Sequence, residues 1–138
     1  MKKMLSMAVD STNNKIAYSV GSKAYIYKLS DVKAGSTTVS PTVISIKSNQ
    51  GLEINGDYLY YVTNSGNDIG LYKYNISTGA SKSIIMDLSS LYSHRSALST
   101  GALIEAEGLS IYNGKLYLGI ISKEGSIAYN DIYLVEGF

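Results

Sequence analysis

Gly51-Leu52-Glu53-Ile54-Asn55-Gly56-Asp57-Tyr58-Leu59-Tyr60-Tyr61-Val62 decides the fold. Apolar and polar residues alternate on either side of Asn55-Gly56-Asp57, the period of a strand with one face buried. Asn and Gly tolerate positive φ and close tight hairpins. The unit therefore reads as two short antiparallel strands.

The pattern returns as Gly108-Leu109-Ser110-Ile111-Tyr112-Asn113-Gly114-Lys115-Leu116-Tyr117-Leu118-Gly119. Each copy runs on into a third strand, Ile69–Asn75 and Asn130–Val135. A fainter copy opens the chain, with Met7–Asp10, Asn14–Ser19 and Ala24–Leu29. Strands are expected near 4–10, 15–20, 23–29, 42–47, 50–55, 58–63, 69–75, 82–87, 104–111, 115–122 and 128–135. Units of about four strands, spaced roughly 40 to 50 residues apart, match the blades of a β-propeller. The expected fold is thus all-β: a single domain over 1–138 with about three four-stranded antiparallel blades, near 1–48, 49–103 and 104–138. Residues 104–138 hold no evident fourth strand, and propellers close with about four to eight blades. The reading is a partial propeller, or one completed by self-association.

Composition removes several function classes. A formal net charge of +1 with scattered Lys and Arg gives no electrostatic case for nucleic acid. With no Cys, neither disulfides nor a Cys-ligated metal is available. Met1-Lys2-Lys3-Met4-Leu5 begins like a signal peptide, but Ser6 and Asp10 interrupt the apolar stretch. No run approaches the roughly 20 apolar residues of a membrane-spanning helix. Thirteen Tyr against one Phe and no Trp favour strands, and they also suit an aromatic surface facing a glycan or polymer.

No nucleophile elbow, P-loop, zinc-protease or dinucleotide motif is present, and a lone His leaves little for a Ser-His site. The expectation leans away from an enzyme. Candidate ligand-binding residues fall in two places. Glu105 and Glu107 lie at the start of the third unit's innermost strand, with Ser48 and Gln50 as counterparts in the second unit and Met4 and Ser6 in the first. In a propeller, Glu107, Gln50 and Ser6 would then converge near the axis. A polar ligand or Ca²⁺ is conceivable there, but Ca²⁺ wants about six oxygens, so no metal ligand is assigned and no cofactor is expected. His94 and Arg95 lie in the Ser-rich stretch Leu88–Gly101, read as a long loop or one helical turn, where they would contact an anionic ligand. Asn64-Ser65-Gly66-Asn67-Asp68 lacks EF-hand spacing and reads as a hairpin loop.

These blade patterns carry a resemblance. Met7-Ala8-Val9-Asp10 leading to Ala24-Tyr25-Ile26-Tyr27, Asn49-Gln50-Gly51-Leu52-Glu53-Ile54 leading to Leu59-Tyr60-Tyr61, and Glu107-Gly108-Leu109-Ser110-Ile111 leading to Leu116-Tyr117-Leu118 and Asn130-Asp131-Ile132-Tyr133-Leu134 are similar to the C-terminal part of helveticin-J-like bacteriocins. The resemblance implies a secreted or cell-surface bacterial protein and carries over no catalytic residue. The leading expectation is a non-enzymatic module recognising a cell-wall glycan or other surface polymer. The alternatives are a metal-dependent hydrolase or lactonase with a channel cation, and a structural assembly module.

Overall fold

The computed structural model describes residues 6–66, 68–95 and 98–138. The chain is all-β, in three consecutive antiparallel sheets. The first holds β1 (Ser6–Asp10), β2 (Lys15–Val20), β3 (Lys23–Lys28) and β4 (Thr42–Ser45). A five-residue helix, α1 (Leu29–Lys33), separates its last two strands. The middle sheet holds β5 (Gly51–Asn55), β6 (Tyr58–Ser65), β7 (Asp68–Asn75) and β8 (Ser81–Ile85). After α2 (Ser89–His94) comes the third sheet, β9 (Leu103–Tyr112), β10 (Lys115–Glu124) and β11 (Ile127–Val135). Every sheet is a meander, so each strand pairs with its neighbour in sequence. Among the described residues no fourth strand lies on β11. Residue 4, where the first strand was expected to begin, lies outside the described residues, as does the Met4 counterpart.

Turn chemistry fixes the registers. Asn113 (φ 48°) and Gly114 (φ 72°) both adopt the left-handed backbone of a two-residue hairpin, so Tyr112 faces Lys115. The sheets stack face to face, and strand alternation supplies both faces of the middle one. Leu52, Ile54, Leu59 and Tyr61 pack on Ala8, Ala17, Ala24, Ile26, Ile44 and Ile46 of the first sheet. Tyr60, Val62, Ile69 and Leu71 pack on Ile104, Ala106, Leu116, Leu118 and Ile120 of the third. The middle sheet is therefore covered on both faces over β5, β6 and the first half of β7, while β8 at its edge is exposed along its length.

The hairpins also align the sheets with one another. Met7, Leu52 and Leu109 are equivalent, as are Val9, Ile54 and Ile111, then Ile16, Leu59 and Leu116, and Tyr18, Tyr61 and Leu118. In the third strands Tyr25, Tyr72 and Tyr133 match, as do Ala24, Leu71 and Ile132. This register corrects one expectation. Ser6 is equivalent to Gly51 and Gly108, not to Gln50 and Glu107. A four-residue turn after Asp10, where the other sheets use two residues, hid the one-residue offset from the sequence.

Strands β1, β5 and β9 form the edge along which the sheets touch. A Cβ added to Gly51 would lie 2.8 Å from Gly108 Cα, so the two backbones meet there without side chains between them. Further along, Asp10 ties the first two sheets. Its carboxylate accepts the Gly56 N–H at 2.7 Å, the Asn13 N–H at 3.0 Å and the Asn13 side-chain amide at 2.7 Å. Burial pushes this carboxyl up, but the Gly56 and Asn13 donors and nearby Lys15 outweigh it, and the pKa lies below the usual value. Lys15 completes the tie, donating to Gly56 O at 2.6 Å and to Asp57 at 2.9 Å.

Candidate functional site

One recess opens where the chain leaves β4 and where the β6–β7 hairpin projects. It encloses about 460 Å³ and is lined by Lys47, Ser48, Thr63, Asn64, Asp68 and Tyr72, among others. Tyr61 and Tyr72 face each other across β6 and β7, and their rings stack with centroids 4.7 Å apart and planes 5° from parallel. Lys47 crosses from the first sheet and donates to the Tyr72 hydroxyl at 2.8 Å, which raises the pKa of its ammonium. Gly70 lets the Tyr72 ring and the Thr63 hydroxyl close in on its backbone: a Cβ there would fall 2.8 Å from Thr63 Oγ1 and 2.9 Å from a Tyr72 ring carbon. The site thus offers an aromatic ring braced from behind, with a cation, a carboxylate, hydroxyls and an amide around it.

Asn64 has a second task. Its side chain accepts the Ala106 N–H at 3.0 Å and returns an N–H to Ala106 O at 3.4 Å. This pairing falls beside a bulge in β9, where Gly119 faces Gly108 while Ile120 faces Ala106, leaving Glu107 as the extra residue. Glu107 is exposed and Glu105 half-buried. Gln50 gives its backbone N–H to Val62 O at 2.9 Å, and its side chain is exposed. The Gly51–Gly108 approach brings the backbones of Gln50 and Glu107 near each other, but Ser6 turns elsewhere. Its hydroxyl donates to Asn49 Oδ1 at 2.6 Å and lies 3.0 Å from Ser19 Oγ. Asn49 is buried, and nothing in the sequence singled it out. Among the described residues no group of three or more His, Asp or Glu side chains is placed to hold a metal ion.

Arg95 is engaged within the chain. Its guanidinium makes a two-pronged pair with Asp131 on β11 and lies 4.5 Å from the Tyr129 ring centre. The pair raises the Arg95 pKa and holds the Asp131 carboxyl low. His94 beside it is exposed. The stretch after α2 is anchored again at Ser99, whose N–H and hydroxyl each lie 2.6 Å from the Glu124 carboxylate. Leu91 and Leu98 are buried beneath it.

Glu53 lies half-buried on the face of the middle sheet turned to the third. Burial raises its carboxyl pKa, even though the Ile54 and Ile111 N–H groups donate to it. A carboxyl raised on folding stabilises fully below its unfolded pKa of about 4.3, and that stability is lost as pH rises through the folded value. Glu53→Gln keeps an acceptor for both N–H groups and cannot ionise. The Tm of the variant relative to the native protein is expected to climb between about pH 4 and pH 7 in a thermal melt series. A constant difference would show that Glu53 is ionised at no cost.

No protein-family model matches the chain, and no characterised protein matches it in sequence. Among solved structures, a plant lectin with two metal-binding sites from Cicer arietinum aligns over 96% of this chain and 68% of its own, at 8% identity and a TM-score of 0.39. A Saccharomyces cerevisiae Dbp5 complex with Nup159, Gle1, IP6 and ADP aligns over 95% of this chain and 44% of its own, at 10% identity and a TM-score of 0.34.

Proposed function

We propose that the chain is an arc of a β-propeller and acts as a non-enzymatic binding module for a polyhydroxylated polymer such as a bacterial wall glycan. The propeller reading is supported by three successive meanders whose first strands touch in series and whose faces pack sheet on sheet. The binding reading rests on the Tyr72 recess. A sugar presents an apolar face to stack on an aromatic ring and hydroxyls to meet Asp68, Ser48 and Lys47 around it. The helveticin-like pattern is the reason for seeking the ligand at a bacterial cell surface.

Calorimetric titration with soluble peptidoglycan and teichoic-acid fragments tests the reading. Binding is expected to weaken at least about tenfold in Asp68→Ala and in Tyr72→Ala, the loss of one or two good polar or stacking contacts. Asp68 is exposed, so that variant folds normally. No binding by the native protein, or binding indifferent to both changes, would sink the proposal.

A further inference from the structure

The two outermost faces of the stack are unmated halves of the interface that the protein already builds twice. On the outer face of the first sheet lie Met7 (55% exposed), Val9 (47%), Ile16, Tyr18, Tyr25 and Tyr27. Their equivalents in the middle sheet all belong to the core against the first sheet, with Leu52 and Ile54 only 4% and 3% exposed. Their equivalents in the third sheet all belong to the core against the middle sheet. The opposite face behaves alike. Ile132 on the outer face of the third sheet is 79% exposed, whereas the equivalent Leu71 and Ala24 are fully buried against the following sheet. Tyr18 is already stacked on Tyr25 at 5.2 Å and on Tyr27 at 6.0 Å, a preformed apolar surface.

We infer that a second copy of this chain covers both faces, the third sheet of each protomer packing on the first sheet of its partner. The inference rests on the propeller reading above and names the partner. Two arcs of three sheets give six blades, within the range of about four to eight that close around an axis. The arrangement has two identical seams related by a two-fold axis, so it closes and does not grow into fibres. By equivalence with the Gly51–Gly108 contact, Gly108 meets the partner copy at the level of its first strand. Among the described residues, a Cβ on Gly108 would have nothing within 4 Å.

Sedimentation equilibrium of the full chain from about 1 to 100 µM reads this directly. The expected mass is twice the 14.9 kDa of one chain at the upper end of the range. Gly108→Val and Met7→Asp are each expected to shift dissociation to at least about tenfold higher concentration. Both positions are exposed or open in the protomer, so their circular dichroism and isolated-protomer melting should remain native-like. A strict monomer at 100 µM, a ladder of larger species, or a dimer indifferent to both variants (pairing through the β11 edge) would each overturn the inference. Glycan binding by a strict monomer would remove the second copy and leave the proposed function standing.

Discussion

Gly51→Val is expected to lower Tm by roughly 10 °C, the effect of about 3 kcal/mol in a domain of this size. The new Cβ would lie 2.8 Å from Gly108 Cα, 3.0 Å from Leu109 N and 3.1 Å from Gly108 C. All three are backbone atoms of the adjoining sheet, so no side chain can swing aside. Relief requires the middle and third sheets to separate along β5 and β9, which opens the core around Tyr60, Val62 and Leu118. Valine is otherwise favoured in strands, so the loss isolates the contact from propensity. Gly108→Val is the matched control: same residue types, equivalent register, and open space around the added atoms. Its protomer melting should change by less than about 3 °C. Equal losses for the two variants in differential scanning calorimetry would refute the close-approach argument.

Leu59→Ala should be comparably severe, about 3–4 kcal/mol by urea unfolding. Leu59 is fully buried on a central strand of the middle sheet, and Ala17 and Ala24 in the same cluster are too small to fill the space left behind. Ile16 occupies the same position in the first sheet but is only half-buried. Ile16→Ala should cost about 1 kcal/mol in the isolated protomer. Comparable losses at the two sites would mean that the first sheet is already covered in the protomer.

Much of the fold was legible in the sequence, for a physical reason. Strands joined by tight turns are specified by neighbours, and Asn113-Gly114 and Asn55-Gly56 declare themselves locally. All eleven expected strands form, each within a few residues of its expected limits. Helix α1 was missed because Leu29-Ser30-Asp31-Val32-Lys33 is too short to show a helical period. The site was far less legible. Lys47 meets Tyr72 across two sheets, and Arg95 meets Asp131 across 36 positions, and alternation carries no information about such pairs. The Glu107 bulge was invisible too, because the extra residue is defined only against the partner strand. Glu105 and Glu107 lie on β9 and Gln50 directly precedes β5, but Ser6 was drawn off to Asn49.

The meander wiring also bears on how such a chain changes length. Each sheet is one uninterrupted run of sequence, and the face it shows to the sheet before differs from the face it shows to the sheet after. Duplicating one run therefore inserts a layer whose two sides already fit its neighbours, and deleting one rejoins surfaces of compatible kind. Gain or loss of about 45 residues at a time is the cheap route by which this architecture varies, whereas an insertion of half a run would bring two like faces together.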